Sequence, residues 1–271
     1  MCRDTDRRSG CKKRGRLWRI LLFCLALLVF VFSLGSLLVT QFTGFREEAR
    51  FQTLAKQVES AALAEEESPQ VEEVTGEREV LPQYRGLFAE NPDLAGWIQI
   101  EGTDLDYPVM FTPEEPEFYL RRDFYGNPSQ SGVPFLDGNY QEEGNHALIY
   151  GHNMDNGTMF ATLLSYRDPE FWEEHPTIRF DTLYETREYE VVAAFYGEIL
   201  PLGTEGSFPY YTYTDLRDPK AFSEYLAQVE EAALYETGVT AVFGDAILTL
   251  STCSNQGENG RFVVVARRQQ K

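Results

Sequence analysis

The chain has little cysteine where cysteine would build structure. Of its four, Cys2, Cys11 and Cys24 lie near the start, and Cys253 stands alone in the remainder. No disulfide can form within the body, which excludes the small disulfide-stapled folds and leaves one unpaired thiol in need of a reason. There is no Cys/His cluster at metal-ligand spacing, no Gly-rich phosphate loop and no internal repeat. Neither a metal nor another cofactor is therefore expected, and solenoid architectures fall away. Positive charge is scarce: 24 Lys and Arg stand against 43 Asp and Glu, a net charge of -19. Residues 1–19 hold eight of those cations and two Asp, which leaves -25 for everything after them. A body this acidic is not expected to bind nucleic acid, where affinity rests on Lys and Arg at the phosphates.

What is present begins with a run of 21 uncharged residues, Ile20 to Thr40, rich in Leu, Val and Phe. As a helix it measures roughly 30 Å, the thickness of a bilayer core. The basic cluster before it belongs on the cytoplasmic side. The expectation is a cytoplasmic tail at 1–19, a single-pass anchor at 20–41 and an extracellular body. A cleaved signal peptide is the competitor, with a weak cleavage site at Ser33-Leu34-Gly35, but the apolar run continues past it.

The region 42–80 reads as an amphipathic helix followed by an acidic stalk. Phe51, Leu54, Val58, Ala61 and Ala62 share a helical face, while 65–79 offers almost nothing to bury. A compact domain is expected over 81–271; hydrophobic residues at 43% and aromatics at 14% of the chain supply its core. Short apolar runs bounded by turn residues predict strands at 97–100, 107–110, 133–136, 147–150, 177–181, 187–200, 246–253 and 261–267. Helices at 81–90, 159–165 and 219–237 interrupt them without regular alternation. Many strands at modest spacing point to a mostly β barrel or sandwich, not a parallel α/β fold.

The last two strands carry the chemistry. The seven residues Ser254 to Gly260 form a polar turn between Cys253 and Arg261. Antiparallel pairing across that turn brings thiol and guanidinium together at a sheet rim, on one face with Ser251 and Val263. A thiol becomes a useful nucleophile beside a base or cation, most often an imidazole. Of the three histidines, His152 follows a strand and enters a Gly- and Asn-rich loop, where catalytic side chains concentrate. His175 reads as solvated and His146 as structural.

Thr249-Leu250-Ser251-Thr252-Cys253 followed by Arg261-Phe262-Val263-Val264-Val265-Ala266 resembles the signature of sortases. Tyr150-Gly151-His152-Asn153-Met154, with Gly157-Thr158-Met159-Phe160, resembles the histidine segment of class B sortases. Asn91-Pro92-Asp93-Leu94-Ala95-Gly96-Trp97-Ile98 and Asp106-Tyr107-Pro108-Val109 are similar to the opening of that class. The resemblance covers roughly 81–268. It implies a closed eight-stranded sortase-type barrel with inserted helices, and a two-stage acyl transfer. By analogy Cys253 is the nucleophile, His152 the general acid and base, and Arg261 the substrate and oxyanion ligand, with Ser251, Thr252 and Asn153 as substrate contacts. The implied partners are secreted proteins bearing a C-terminal sorting motif and a peptidoglycan amine as acceptor, at the membrane of a Gram-positive cell. A monomer is expected. Some family members have an acidic residue two positions after the nucleophile, where this chain has Asn255.

Three alternatives stay open on sequence alone. A sortase that polymerises pilin would use a Lys of another subunit as acceptor. A non-catalytic wall-associated module would have no need of Cys, His and Arg together. A papain-like hydrolase would carry its Cys early on a helix with His downstream, the reverse of the order here.

Overall fold

The computed structural model of the protein describes residues 7–67, 78–201, 203–204, 206–254, 256–257 and 259–269. The first residues of the basic tail, most of the expected stalk and Asn255 lie outside them. The chain divides into two compact units, Met1–Arg46 and Glu47–Lys271.

Helix α1 (Arg7–Glu67) contributes to both units. In the first, the apolar side chains described between Trp18 and Leu34 are exposed. Among the described residues no helix is long and apolar enough to cross a membrane. The single-pass anchor expected at 20–41 is thus not supported among the described residues; the side chains of its second part lie outside them.

In the second unit, eight strands are present among the described residues: β1 (Leu94–Gln99), β2 (Asp106–Met110), β3 (Phe135–Leu136), β4 (His146–Tyr150), β5 (Thr177–Thr182), β6 (Glu188–Glu198), β7 (Ile247–Cys253) and β8 (Gly260–Arg268). They close a barrel in the order β1-β2-β3-β4-β7-β8-β6-β5. The β2–β3 and β4–β7 pairs are parallel and the rest antiparallel. Every expected strand is found within a few residues of its predicted bounds.

Alternation along β7 and β8 places apolar side chains on both faces. Leu248, Leu250, Phe262, Val264 and Ala266 fill the barrel interior. Ile247, Val263 and Val265 point outward, under a second cluster built by Phe222, Tyr225 and Val229 of helix α4 (Pro219–Ala232). Both faces are buried, and the polar Thr249, Ser251 and Thr252 of β7 are each hydrogen-bonded there.

Helices α2 (Pro82–Glu90), α3 (Pro169–Glu174) and α4 all carry Pro in the first turn, where its missing N–H leaves nothing unsatisfied. The Asp218 carboxylate accepts from Ala221 N at 2.9 Å and caps α4. The helix stops at Ala232, short of the expected 237. There the chain turns to bond the barrel instead, Leu234 N donating to Ala194 O at 2.9 Å and the Thr237 hydroxyl to Val192 O at 2.8 Å. The expected helix at 159–165 is a 3-10 helix, Phe160–Arg167; Met159, with φ 58°, cannot belong to either helical form.

The amphipathic face expected of this helix packs against the barrel. Phe51 and Leu54 are each 3% exposed, and Ala55 and Val58 pack behind them. Phe51 meets the Tyr107 ring edge-on at 5.4 Å, a favourable aromatic geometry.

Candidate active site

The β7–β8 register runs from Ile247↔Arg267 to Cys253↔Arg261. Cys253 and Arg261 are therefore directly opposite, their Cβ atoms about 5 Å apart. They lie on the outward face with Ser251 and Val263, as the sequence predicts. Ser251 and Val263 are buried there, whereas Cys253, at the strand end beyond the cover, is exposed. Ser254 N donates to Gly260 O at 3.0 Å and closes the connecting loop. The Arg261 guanidinium donates from Nη1 to Gly260 O at 2.9 Å, which leaves other donors of its fork for a ligand.

His152 reaches the same rim from β4, which lies beside β7 with Tyr150 opposite Ser251. Gly151 continues the pairing through its N–H to Ser251 O at 3.1 Å. A Cβ on Gly151 would stand 2.6 Å from the Phe160 ring, so only glycine lets the loop fold back this closely. Two side chains named from the sequence as substrate contacts tie this loop to the nucleophile strand. The Thr252 hydroxyl donates to Gly151 O at 2.8 Å, and the Asn153 amide donates to Cys253 O at 3.1 Å. The third, Ser251, shares a 2.7 Å hydrogen bond with the buried Tyr210 hydroxyl.

The His152 ring is half-buried, and its Nε2 lies 2.8 Å from Leu120 O. A carbonyl only accepts, so Nε2 carries the proton and Nδ1 is the atom left to exchange one. Burial holds the His152 pKa below the usual histidine value; the Leu120 bond opposes this and the nearby Arg121 charge adds to it. The imidazole is thus neutral near pH 7 and able to act as a base.

All three groups line one cavity of about 310 Å³. Its walls are apolar at Leu120, Phe135 and Ile199, and polar at Glu117, Asp137 and Tyr150. The Tyr150 hydroxyl donates to Asp137 Oδ2 at 3.1 Å. Burial, then the Asp137 charge, push the Tyr150 pKa up, while Arg261 pulls it down.

The remaining histidines are elsewhere. His146 is buried between Tyr213 O and the Thr249 hydroxyl, the latter at 2.8 Å. His175 ends α3 and rests on the Phe171 ring at 4.5 Å.

The protein-family model described as the sortase domain matches residues 98–269. The chain belongs to the sortase family. It is 32% identical over 190 residues to sortase B of Listeria monocytogenes, covering 69% of this chain and 74% of the relative. Over 192 residues it is 31% identical to sortase B of Staphylococcus aureus, covering 69% and 75%. The solved S. aureus sortase B–substrate complex superposes with a TM-score of 0.69 at 25% identity, over 84% of this chain and 99% of that one. The likeness to class B read from the motifs therefore holds, as does the eight-stranded sortase barrel. Sequence reasoning alone missed Leu120 O, the hydrogen-bond acceptor for the histidine of this sortase. A backbone carbonyl leaves no residue-type signal.

Proposed function

We propose that the protein is a cysteine transpeptidase of the class B sortase type, acting on secreted proteins that carry a C-terminal sorting motif. The observation that carries this reading is that Cys253, His152 and Arg261 open onto one cavity, with the thiol exposed at its rim. In this reading Cys253 gives its thiol proton to Nδ1 of His152 as Sγ attacks the Thr carbonyl carbon of the motif. The amide C–N bond then breaks, the leaving amine takes a proton from His152, and a thioacyl enzyme remains. A peptidoglycan amine next gives a proton back to His152 and attacks the thioester, which frees the thiolate. Arg261 donates to the oxyanion at both stages. That the similar S. aureus sortase B is solved as a substrate complex supports a substrate-binding role for this fold. The site of action in this reading is the Gram-positive cell envelope, and the catalytic domain is 81–271 with α1 from Glu47 packed on it.

The test is cleavage of a fluorogenic sorting-peptide library by the full-length protein in detergent, with and without an added amine. Cleavage, amine transfer and their loss in Cys253→Ala are expected. Undiminished cleavage by that variant rules out the nucleophile. Transfer only to a Lys-bearing pilin peptide would replace the wall acceptor with pilin polymerisation, and no turnover of any peptide would favour a binding module.

A further inference from the structure

The segment Asp106-Tyr107-Pro108-Val109 has no part in the chemistry above, yet its tyrosine reaches the histidine loop. Tyr107 is 1% exposed. Its hydroxyl accepts from Met159 N at 3.1 Å and donates to Glu48 Oε2, on α1, at 3.3 Å. Met159 is the non-glycine residue with positive φ among the described residues, a conformation that persists only where its surroundings hold it. It bridges Asn153, and the following Phe160 N donates to His152 O at 2.8 Å.

The acceptor on the other side of His152 is also backed by α1. Behind Leu120 O runs the segment 129–132, so close that a Cβ on Gly132 would stand 2.5 Å from that oxygen. This segment is fastened by Glu47, which accepts from the Ser131 hydroxyl at 2.6 Å and from the backbone N–H groups of Gln130 and Ser131 at 3.3 Å each. Consecutive carboxylates of one helix turn thus secure the carbonyl that holds the ring and the turn that follows it.

We infer that Glu47 and Glu48 of α1, acting through Ser131 and Tyr107, are positioning residues for His152, so that the helix preceding the barrel belongs to the catalytic apparatus. The catalytic part of this inference rests on the transpeptidase reading; the placement of the ring does not.

The experiment compares full-length Tyr107→Phe, a Glu47→Ala/Glu48→Ala double variant and Leu54→Ala, which loosens the same helix without touching either polar tie. Two readouts are taken: the NMR titration of the His152 ring, one of only three histidines, and kcat and KM on a sorting peptide. Both polar variants are expected to move the His152 midpoint up toward the ordinary histidine value as the loop admits water. They should also lower kcat at least tenfold with KM within twofold. Leu54→Ala should lower Tm and leave midpoint and kcat within twofold, and Glu48→Gln, which keeps an acceptor for Tyr107, should behave as the parent. An unmoved midpoint in both polar variants overturns the inference, as does an equal shift in Leu54→Ala. If the parent cleaves no peptide, the transpeptidase reading falls, and the titration still decides the positioning.

Discussion

The Asn153 side-chain amide donates to the carbonyl oxygen of Cys253 at 3.1 Å, across 100 residues of sequence. The residue after the candidate base is thereby fastened to the backbone of the candidate nucleophile. Replacing it by Ala removes one exposed hydrogen bond, worth roughly 0.5–1.5 kcal/mol. The expected loss is about three- to tenfold in kcat, with Tm within about 2 °C of the parent. Asn153→Asp, similar in size but unable to donate, should lose as much. Parent-like turnover by both variants would show that the amide does not set the geometry.

A second expectation concerns where the folded unit begins. Phe51 and Leu54 are buried against the barrel, and burying two such side chains stabilises by roughly 3–6 kcal/mol before the entropy of ordering the helix is subtracted. A chain starting at Leu81 should therefore melt on the order of 10 °C below one starting at Glu47. Calorimetry of the two truncations decides the matter: equal Tm values would mean that the helix docks without contributing to stability.

Most of this architecture is legible in the sequence because local signals agree with tertiary ones. The last two strands are rich in apolar residues on both faces since barrel and α4 bury both, and the polar turn between them fixes the Cys253↔Arg261 register. The spacing of Phe51 and Leu54 marks an amphipathic helix, while its packing on the barrel is seen only in the fold. What stays illegible depends on backbone atoms or distant partners. Nothing in residue type marks Leu120 O as the imidazole's acceptor, or Met159 as the residue with φ 58°. Ser251 and Thr252 are expected as substrate contacts through the family resemblance; their hydroxyl bonds within the protein, to Tyr210 and Gly151 O, carry no signal in the sequence. The end of α4 at Ala232 is set by barrel carbonyls, which helix periodicity cannot foresee.

Burial holds the His146 pKa at about 4, against the opposing Tyr213 bond and Asp137 charge. Between pH 6.5 and 4 the unfolded chain therefore binds a proton that the folded chain refuses, so stability is full above about 6.5 and falls as pH falls. At roughly 1.4 kcal/mol per pH unit, the loss by pH 5 is about 2 kcal/mol. His146→Gln does not titrate, so the difference between parent and variant in unfolding free energy should narrow by that amount from pH 7 to pH 5. Parallel pH profiles in urea titrations would mean that His146 takes up its proton in the fold as readily as in the unfolded chain.

Arg261 is the residue for which charge and shape separate most clearly. It stands opposite Cys253 at a half-buried rim, and its guanidinium bonds to the neighbouring Gly260 carbonyl, so its removal should cost little stability. Losing an oxyanion donor typically costs about 10²- to 10³-fold in kcat, and Arg261→Ala should fall in that range with Tm nearly unchanged. Arg261→Lys keeps the charge but loses the planar fork that can serve substrate and backbone together. It should recover at most about a tenth of the parent kcat. Full recovery in the Lys variant would reduce Arg261 to a positive charge beside the thiol. Parent activity in the Ala variant would remove it from the mechanism, leaving Cys253 and His152 to carry the reaction alone.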